Sequence, residues 1–135
     1  MADIRRVTED LSVAPQITVE DVAEAARLGF RTIINNRPDN EEPGQPSGHE
    51  IEAAAQAEGL AYLHLPVRGS PTPEQVETTA RVLADADKPV LAFCRSGTRS
   101  IVTWAISEAT TGARGRDELK ALGREAGYDL SGVLG

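Results

Sequence analysis

The chain carries a single cysteine, Cys94, and it opens the run Cys94-Arg95-Ser96-Gly97-Thr98-Arg99-Ser100. An apolar, strand-like segment, Pro89-Val90-Leu91-Ala92-Phe93, precedes it, and a helix-like one, Ile101-Val102-Thr103-Trp104-Ala105-Ile106, follows. A thiol at a strand-to-helix junction meets backbone N–H groups with no partner in the helix, at the positive end of the helix dipole. Both stabilise a thiolate and the anion it attacks. Arg95 and Arg99 add full positive charges, and Gly97 allows close backbone approach or a positive φ. This arrangement makes a cysteine sulfur a nucleophile at neutral pH. The plain alternative is a small buried hydrophobe after an apolar strand. Two arginines within five residues of the thiol argue against that reading, because cores seldom hold unpaired arginines.

The elements that must position this turn are legible in order. Leu11-Ser12-Val13-Ala14 reads as a short strand. Thr18 caps a helix over Val19 to Leu28, with Glu20 and Asp21 in its first turn and Gly29 as its stop. Arg31-Thr32-Ile33-Ile34 is a β-branched strand. The polar, proline- and glycine-rich stretch 35–46 is a loop. Ser47 with Glu50 has the spacing of a capping box for a helix to Glu58, closed by Gly59. Ala61 to Leu65 forms the next strand, and 66–71 another loop. Thr72, Pro73 and Gln75 start a helix running to about Ala86. Helices over 98–110 and 116–126 complete the chain. Alternating strands and helices indicate an α/β layer fold with a largely parallel sheet. Three loops, holding Arg37 with Asp39, Arg68, and Cys94, should then open on one sheet edge and form one anion-binding pocket.

Composition narrows the function classes. The 135 residues suffice for one compact domain with a real core, so residues 1–135 are expected to form a single domain. The formal charge of −7 opposes general nucleic-acid binding, which needs a basic face. The groups Glu20, Asp21 and Glu24, and Glu41 with Glu42, read as solvated charge that serves solubility. No apolar run is long enough for a membrane span, and the N-terminus lacks the apolar stretch of a signal peptide, so a cytoplasmic location is expected. His49 and His64 share no metal-ligand spacing and read as structural, and no metal or cofactor is expected. Trp104 reads as core. Arg37 is expected to pair with Asp39 or with a backbone carbonyl, and less readily to touch a ligand.

The segments Leu11–Thr18 and Gly29–Asp39, together with the Cys94 run, resemble the phosphatase-like domain of the beta-lactamase hydrolase-like protein family. The resemblance covers about residues 3–130. It implies a protein tyrosine phosphatase-like, dual-specificity-phosphatase-like fold: a three-layer sandwich with a mostly parallel sheet flanked by helices. The Cys94 run also looks like a rhodanese loop. In phosphatases of the Cys-x5-Arg type the arginine stands one position further on, where this chain has Ser100. The shorter loop makes a smaller anion cup. The loop after the third long strand, Val67-Arg68-Gly69-Ser70-Pro71, has no aspartate to protonate a leaving oxygen; the alternative acid is Asp39, reaching in from its own loop. Phe93 stands where related loops often carry histidine.

These departures favour sulfur transfer as the expected activity, with phosphate monoester hydrolysis through a phosphocysteine as the alternative and a non-enzymatic anion-binding or redox-sensing module as a third. Cys94 would take sulfur from thiosulfate or a persulfide and pass it to a thiol or cyanide. The amides of residues 95–99 would hold the persulfide anion, and Arg99 would balance its charge. Arg95 would capture the donor, while Ser96, Thr98 and Ser100 could donate hydrogen bonds. The resemblance also implies a persulfide-oxidising metallo-enzyme as a partner in trans. On every catalytic reading the sulfur is expected to be exposed.

Overall fold

The computed structural model describes residues 2–135. Five strands form one sheet: β1 (Arg5–Arg6), β2 (Leu11–Ala14), β3 (Thr32–Asn35), β4 (Ala61–His64) and β5 (Val90–Phe93). Their spatial order is β1-β2-β5-β3-β4. β5 lies parallel between β2 and β3, and β4 is parallel to β3. Only β1 runs antiparallel, on β2. Parallel strands of a sheet with both faces covered are apolar on both sides. Accordingly β2, β3 and β5 are buried along their whole length.

The pleat divides the core into two layers. Val13, Ile34, Val90 and Ala92 pack with Ile101, Trp104, Ala105 and Leu119 on one face. Ala14, Ile33, Leu91 and Phe93 pack with Ile17, Val22, Ile51 and Ala55 on the other. Helices α1 (Val19–Arg27) and α2 (Gly48–Ala57) thus cover one side of the sheet. Helices α4 (Thr98–Thr111), α5 (Arg116–Ala126) and the short α6 (Ser131–Leu134) cover the other, joined by side chains of α3 (Pro73–Asp85). The three-layer α/β expectation holds. The strand Arg5–Arg6 and the helix Ser131–Leu134 were not anticipated, being too short to carry a periodic pattern.

Capping decides where the helices begin. Thr18 with Asp21, Ser47 with Glu50, and Thr72 with Gln75 all form complete capping boxes. Helix α4 differs from these: it starts on Gly97, at φ 89°, with no side-chain cap. Its first-turn N–H groups are therefore left for something other than a capping side chain. Among the described residues, no helix is long and apolar enough to cross a membrane.

Candidate active site

Because β2, β3, β4 and β5 are parallel, the segments that follow them open on one edge of the sheet, and central β5 delivers Cys94 to the middle of that edge. The Gly97 amide donates to Cys94 Sγ at 3.1 Å. The Thr98 amide turns to Ser96 Oγ at 3.4 Å, and the first amide to bond back along α4 is that of Ile101, to Gly97 O. The amides of Arg95, Ser96, Arg99 and Ser100 find no acceptor among the described residues. A run of free N–H groups at a helix start is a ready seat for an anion.

The loop is braced from outside. The Cys94 amide bonds Ala14 O, and the Gln16 amide bonds Arg95 O, so the end of β2 holds its start. Tyr128 Oη donates to Ser96 O at 2.9 Å. A Cβ at residue 97 would collide with that hydroxyl, so both the positive φ and the approach of Tyr128 demand glycine there. Arg5 stacks over the Tyr128 ring, 5.2 Å from its centroid. Burial pushes the Tyr128 hydroxyl above its ordinary pKa; Arg5 opposes this, and the nearby Cys94 charge adds to it. Neither Tyr128 nor Arg5 was flagged from sequence, since both lie far along the chain from residue 94.

Contrary to expectation, Cys94 is 0 % exposed. Its residue closes the end of a buried strand, and the loop folds over it. The sulfur is nonetheless not sealed in hydrocarbon, because the Gly97 N–H points at it. It forms the floor of the loop rather than its rim.

The charges above that floor are arranged as a chain. Arg99 is held by both oxygens of Glu41, at 2.7 and 2.8 Å, and by the carbonyl of Val67 at 2.9 Å. Glu41 also accepts from Arg37 Nε at 2.8 Å. Arg37 is only 1 % exposed, and Gln16 and Glu42 hold the rest of its guanidinium. Arg95, well exposed, lies 3.8 Å from the other oxygen of Glu42. The hydrogen bonds from Arg99, then those from Arg37, bring the Glu41 carboxyl down to about 2. The same pairing, foremost with Glu41, raises Arg99 further, with smaller contributions from the Cys94 sulfur. Burial works against the Arg37 charge, but its bonds to Glu41 and Glu42 prevail and its pKa is raised.

Several sequence-based assignments need correction. Arg37 pairs with Glu41, Glu42 and Gln16, not with Asp39. Asp39 instead accepts from the Gly48 amide at 2.7 Å, at the start of α2, where a carboxylate completes the helix end. It is therefore not poised over Cys94 as an acid. Glu41 and Glu42 are counter-charges of the pocket rather than idle surface charge. The Ser100 hydroxyl donates to Asn36 Oδ1 at 2.8 Å, which binds α4 to the loop after β3, so it does not serve the sulfur. Ser96 and Thr98 hydroxyls bond each other at the exposed rim. Arg68 is exposed and has no hydrogen bond or ion pair among the described residues; it is the preceding Val67 that reaches the site, through its carbonyl. His49 is 95 % exposed beside Glu52 and is not a structural histidine. His64 is structural, its Nε2 lying 2.8 Å from Arg37 O. Trp104 lies in the core.

Comparison with known proteins fits this architecture. Residues 3–111 match the family model described as Beta-lactamase hydrolase-like protein, phosphatase-like domain. The chain belongs to that family. A Beta-lactamase hydrolase-like protein of Xylella fastidiosa (strain Temecula1) is 42% identical over 125 residues, 92% of this chain and 29% of the relative. The chain thus spans less than a third of the length of the curated relatives it matches. Among solved structures, a candidate phosphatase from Neisseria meningitidis Z2491 is 35% identical, covers 97% of this chain and 93% of its own, and superposes with a TM-score of 0.86. A Cys-to-Ser variant of TpbA from P. aeruginosa, solved with pTyr, shares the fold at 19% identity, with a TM-score of 0.65 and coverage of 96% and 86%. The protein is a phosphatase-like domain of the protein tyrosine phosphatase fold.

Proposed function

We propose that this domain hydrolyses phosphate monoesters, with Cys94 as the nucleophile. The observation that carries the reading is the Cys94 loop: a sulfur under the Gly97 amide, uncapped amides of the first turn of α4, and Arg99 beside it. The N. meningitidis relative and the pTyr bound to TpbA support a phosphoryl group as the anion that such a cup accepts.

In the first step the thiolate attacks phosphorus. The S–P bond forms, the P–O bond to the leaving group breaks, and that oxygen departs with the electron pair. Loop amides and Arg99 hold the equatorial oxygens, where charge is spread in the transition state. Water then attacks the phosphocysteine, releasing inorganic phosphate and regenerating the thiolate. No carboxylate of the resting site donates a proton to the leaving oxygen: Asp39 is bound to Gly48 N, and Glu41 is ionised at neutral pH. General acid help is worth about 10²–10⁴-fold, so aryl phosphates with good leaving groups are favoured over alkyl ones.

The test is turnover of p-nitrophenyl phosphate by the purified protein, with Cys94→Ser as control. Turnover that vanishes in the variant, with a trapped phosphoenzyme in the wild type, supports the reading. Thiocyanate made from thiosulfate and cyanide, without phosphatase turnover, rejects it.

The short loop keeps sulfur transfer as a second reading, since Arg99 stands one position closer to the cysteine than in Cys-x5-Arg phosphatases. There the thiolate attacks the outer sulfur of thiosulfate, the new S–S bond forms, and sulfite leaves with the electron pair. Cyanide then takes the outer sulfur as thiocyanate. This chemistry needs no acid for a leaving alkoxide. A sulfur adduct seen by mass spectrometry in the wild type and absent from Cys94→Ser would favour it. Either reaction would run without a cofactor, and a persulfide-oxidising metallo-enzyme would be a partner in trans only on the sulfur reading.

A further inference from the structure

A trans peptide unit is planar, so its C=O and N–H point in opposite directions. The unit that joins Ser96 to Gly97 is gripped at both ends. Its carbonyl accepts from Tyr128 Oη at 2.9 Å, and its N–H donates to Cys94 Sγ at 3.1 Å. Among the described residues no other group bonds either end. One rigid plane therefore connects the phenol to the sulfur.

Glycine at 97 makes that plane easy to turn, because no Cβ confines its φ. The neighbouring side chains do not hold it. The Ser96 and Thr98 hydroxyls bond each other, and Ser100 bonds Asn36. Phe93 has no side-chain donor and packs in the core. Tyr128, by contrast, is itself well held. Helix α5 ends on Gly127 at φ 92°, and the amides of Gly127 and Tyr128 return to the carbonyls of Arg124 and Gly123. This left-handed cap turns the chain back toward the cysteine loop. A Cβ at Gly127 would meet Arg5 Nη1, which also donates to Ala126 O, and the same guanidinium lies over the Tyr128 ring. The edge strand β1 and the end of α5 thus seat the ring together. Burial, against the pull of Arg5, keeps the phenol above its ordinary pKa, so at neutral pH it carries the proton that it donates.

We propose that Tyr128 is a positioning residue for the nucleophile: by holding the Ser96 carbonyl, it aims the Gly97 N–H at Cys94 Sγ. The bond to the carbonyl also polarises the peptide and strengthens its N–H as a donor. A donor aimed at a sulfur favours the charged form. The inference rests on Cys94 reacting as a thiolate, as the phosphoryl reading requires. The charged groups about the sulfur are Arg99 from α4 with Glu41 behind it, Arg95 in the loop facing Glu42, and Arg5 behind the Tyr128 ring. Tyr128→Phe keeps all of them and removes only the hydroxyl.

The experiment titrates the wild type and Tyr128→Phe without substrate. Cys94 is the only cysteine, so the ultraviolet absorbance of the thiolate reports it alone once the spectrum of the matching Cys94→Ser protein is subtracted. A whole hydrogen bond to a charged group corresponds to about one to two in pH. Losing the aim of that bond should raise the midpoint by about 0.5–1 in pH. The acid limb of kcat/KM for p-nitrophenyl phosphate should move by the same amount, with activity regained on the plateau above it.

An unchanged or lowered midpoint would show that Tyr128 only braces the fold, and would overturn the proposal. So would a turnover deficit that is the same at every pH. Should Tyr128→Phe fail to fold, the wild type decides: the carbon-13 resonance of Tyr128 Cζ should titrate with the sulfur and lose that step in Cys94→Ser, and a flat curve in the wild type would refute the link. A raised midpoint in a protein that turns over no phosphate ester would uphold this inference and sink the phosphatase reading.

Discussion

Replacing Gly97 by alanine tests the geometry of the loop most directly. Gly97 holds φ 89° and ψ −14°, a left-handed conformation that alanine adopts at a cost of about 1–3 kcal/mol. The added methyl would also run into the Tyr128 hydroxyl, forcing the ring to move and breaking its bond to Ser96 O. That bond is worth about 1 kcal/mol net. Alanine restricts the unfolded chain, returning about 0.4–1 kcal/mol. The net destabilisation should then be about 1–3.5 kcal/mol, above an ordinary surface change. In urea this moves the midpoint down by on the order of 1 M. The assay is equilibrium denaturation of the wild type, Gly97→Ala, Tyr128→Phe and the double variant. Removing the phenolic oxygen relieves the worst of the clash, although the ring carbon that carried it stays 3.1 Å from the methyl, so Gly97→Ala should cost about 1 kcal/mol less in the Tyr128→Phe background. A Gly97→Ala cost below about 0.5 kcal/mol, the usual scatter of surface substitutions, would refute the reasoning. So would a cost identical in both backgrounds, which would mean that Tyr128 does not crowd the loop.

Three further outcomes are expected. The Glu41 carboxyl falls from 4.5 to about 2 on folding, so its contribution is present above pH 4.5 and fades as pH drops through 2. With a discount for solvent screening, the stability gap between wild type and Glu41→Gln should shrink by about 1–2 kcal/mol over that window, and a gap constant with pH would contradict the pairing. Asp39→Ala should lower stability by about 1 kcal/mol, because the Gly48 amide loses its acceptor, while kcat for p-nitrophenyl phosphate stays the same; a collapse of kcat would make Asp39 the acid after all. Ser100→Ala leaves Asn36 Oδ1 without its buried donor and should cost about 1–3 kcal/mol in denaturation, whereas a neutral result would show that water reaches the site.

Much of this protein was legible in its one-dimensional order because the signals are local. A capping box needs four consecutive residues, so the starts of α1, α2 and α3 could be read from Thr18, Ser47 and Thr72. The apolar run before Cys94 and the glycine after it are likewise local, and they place the sulfur at a strand-to-helix turn. Alternating strands and helices then imply a parallel sheet whose loops share an edge.

What the chain order did not disclose is which charges meet on that edge. Glu41 and Arg99 are 58 positions apart, and their bond exists because β3 and β5 are neighbours in the sheet. Read as text, Glu41-Glu42 beside a proline and a glycine is ordinary surface charge; folded, it closes one end of the loop arginine. Asp39 was misjudged for the converse reason, since its partner is a backbone amide, and amides carry no residue identity. Tyr128 and Ser100 follow the same rule, each taking a partner at least 32 positions away. Backbone conformation is decided by neighbours in sequence, whereas the pairing of side chains is decided by strand order, and strand order belongs to the tertiary structure alone.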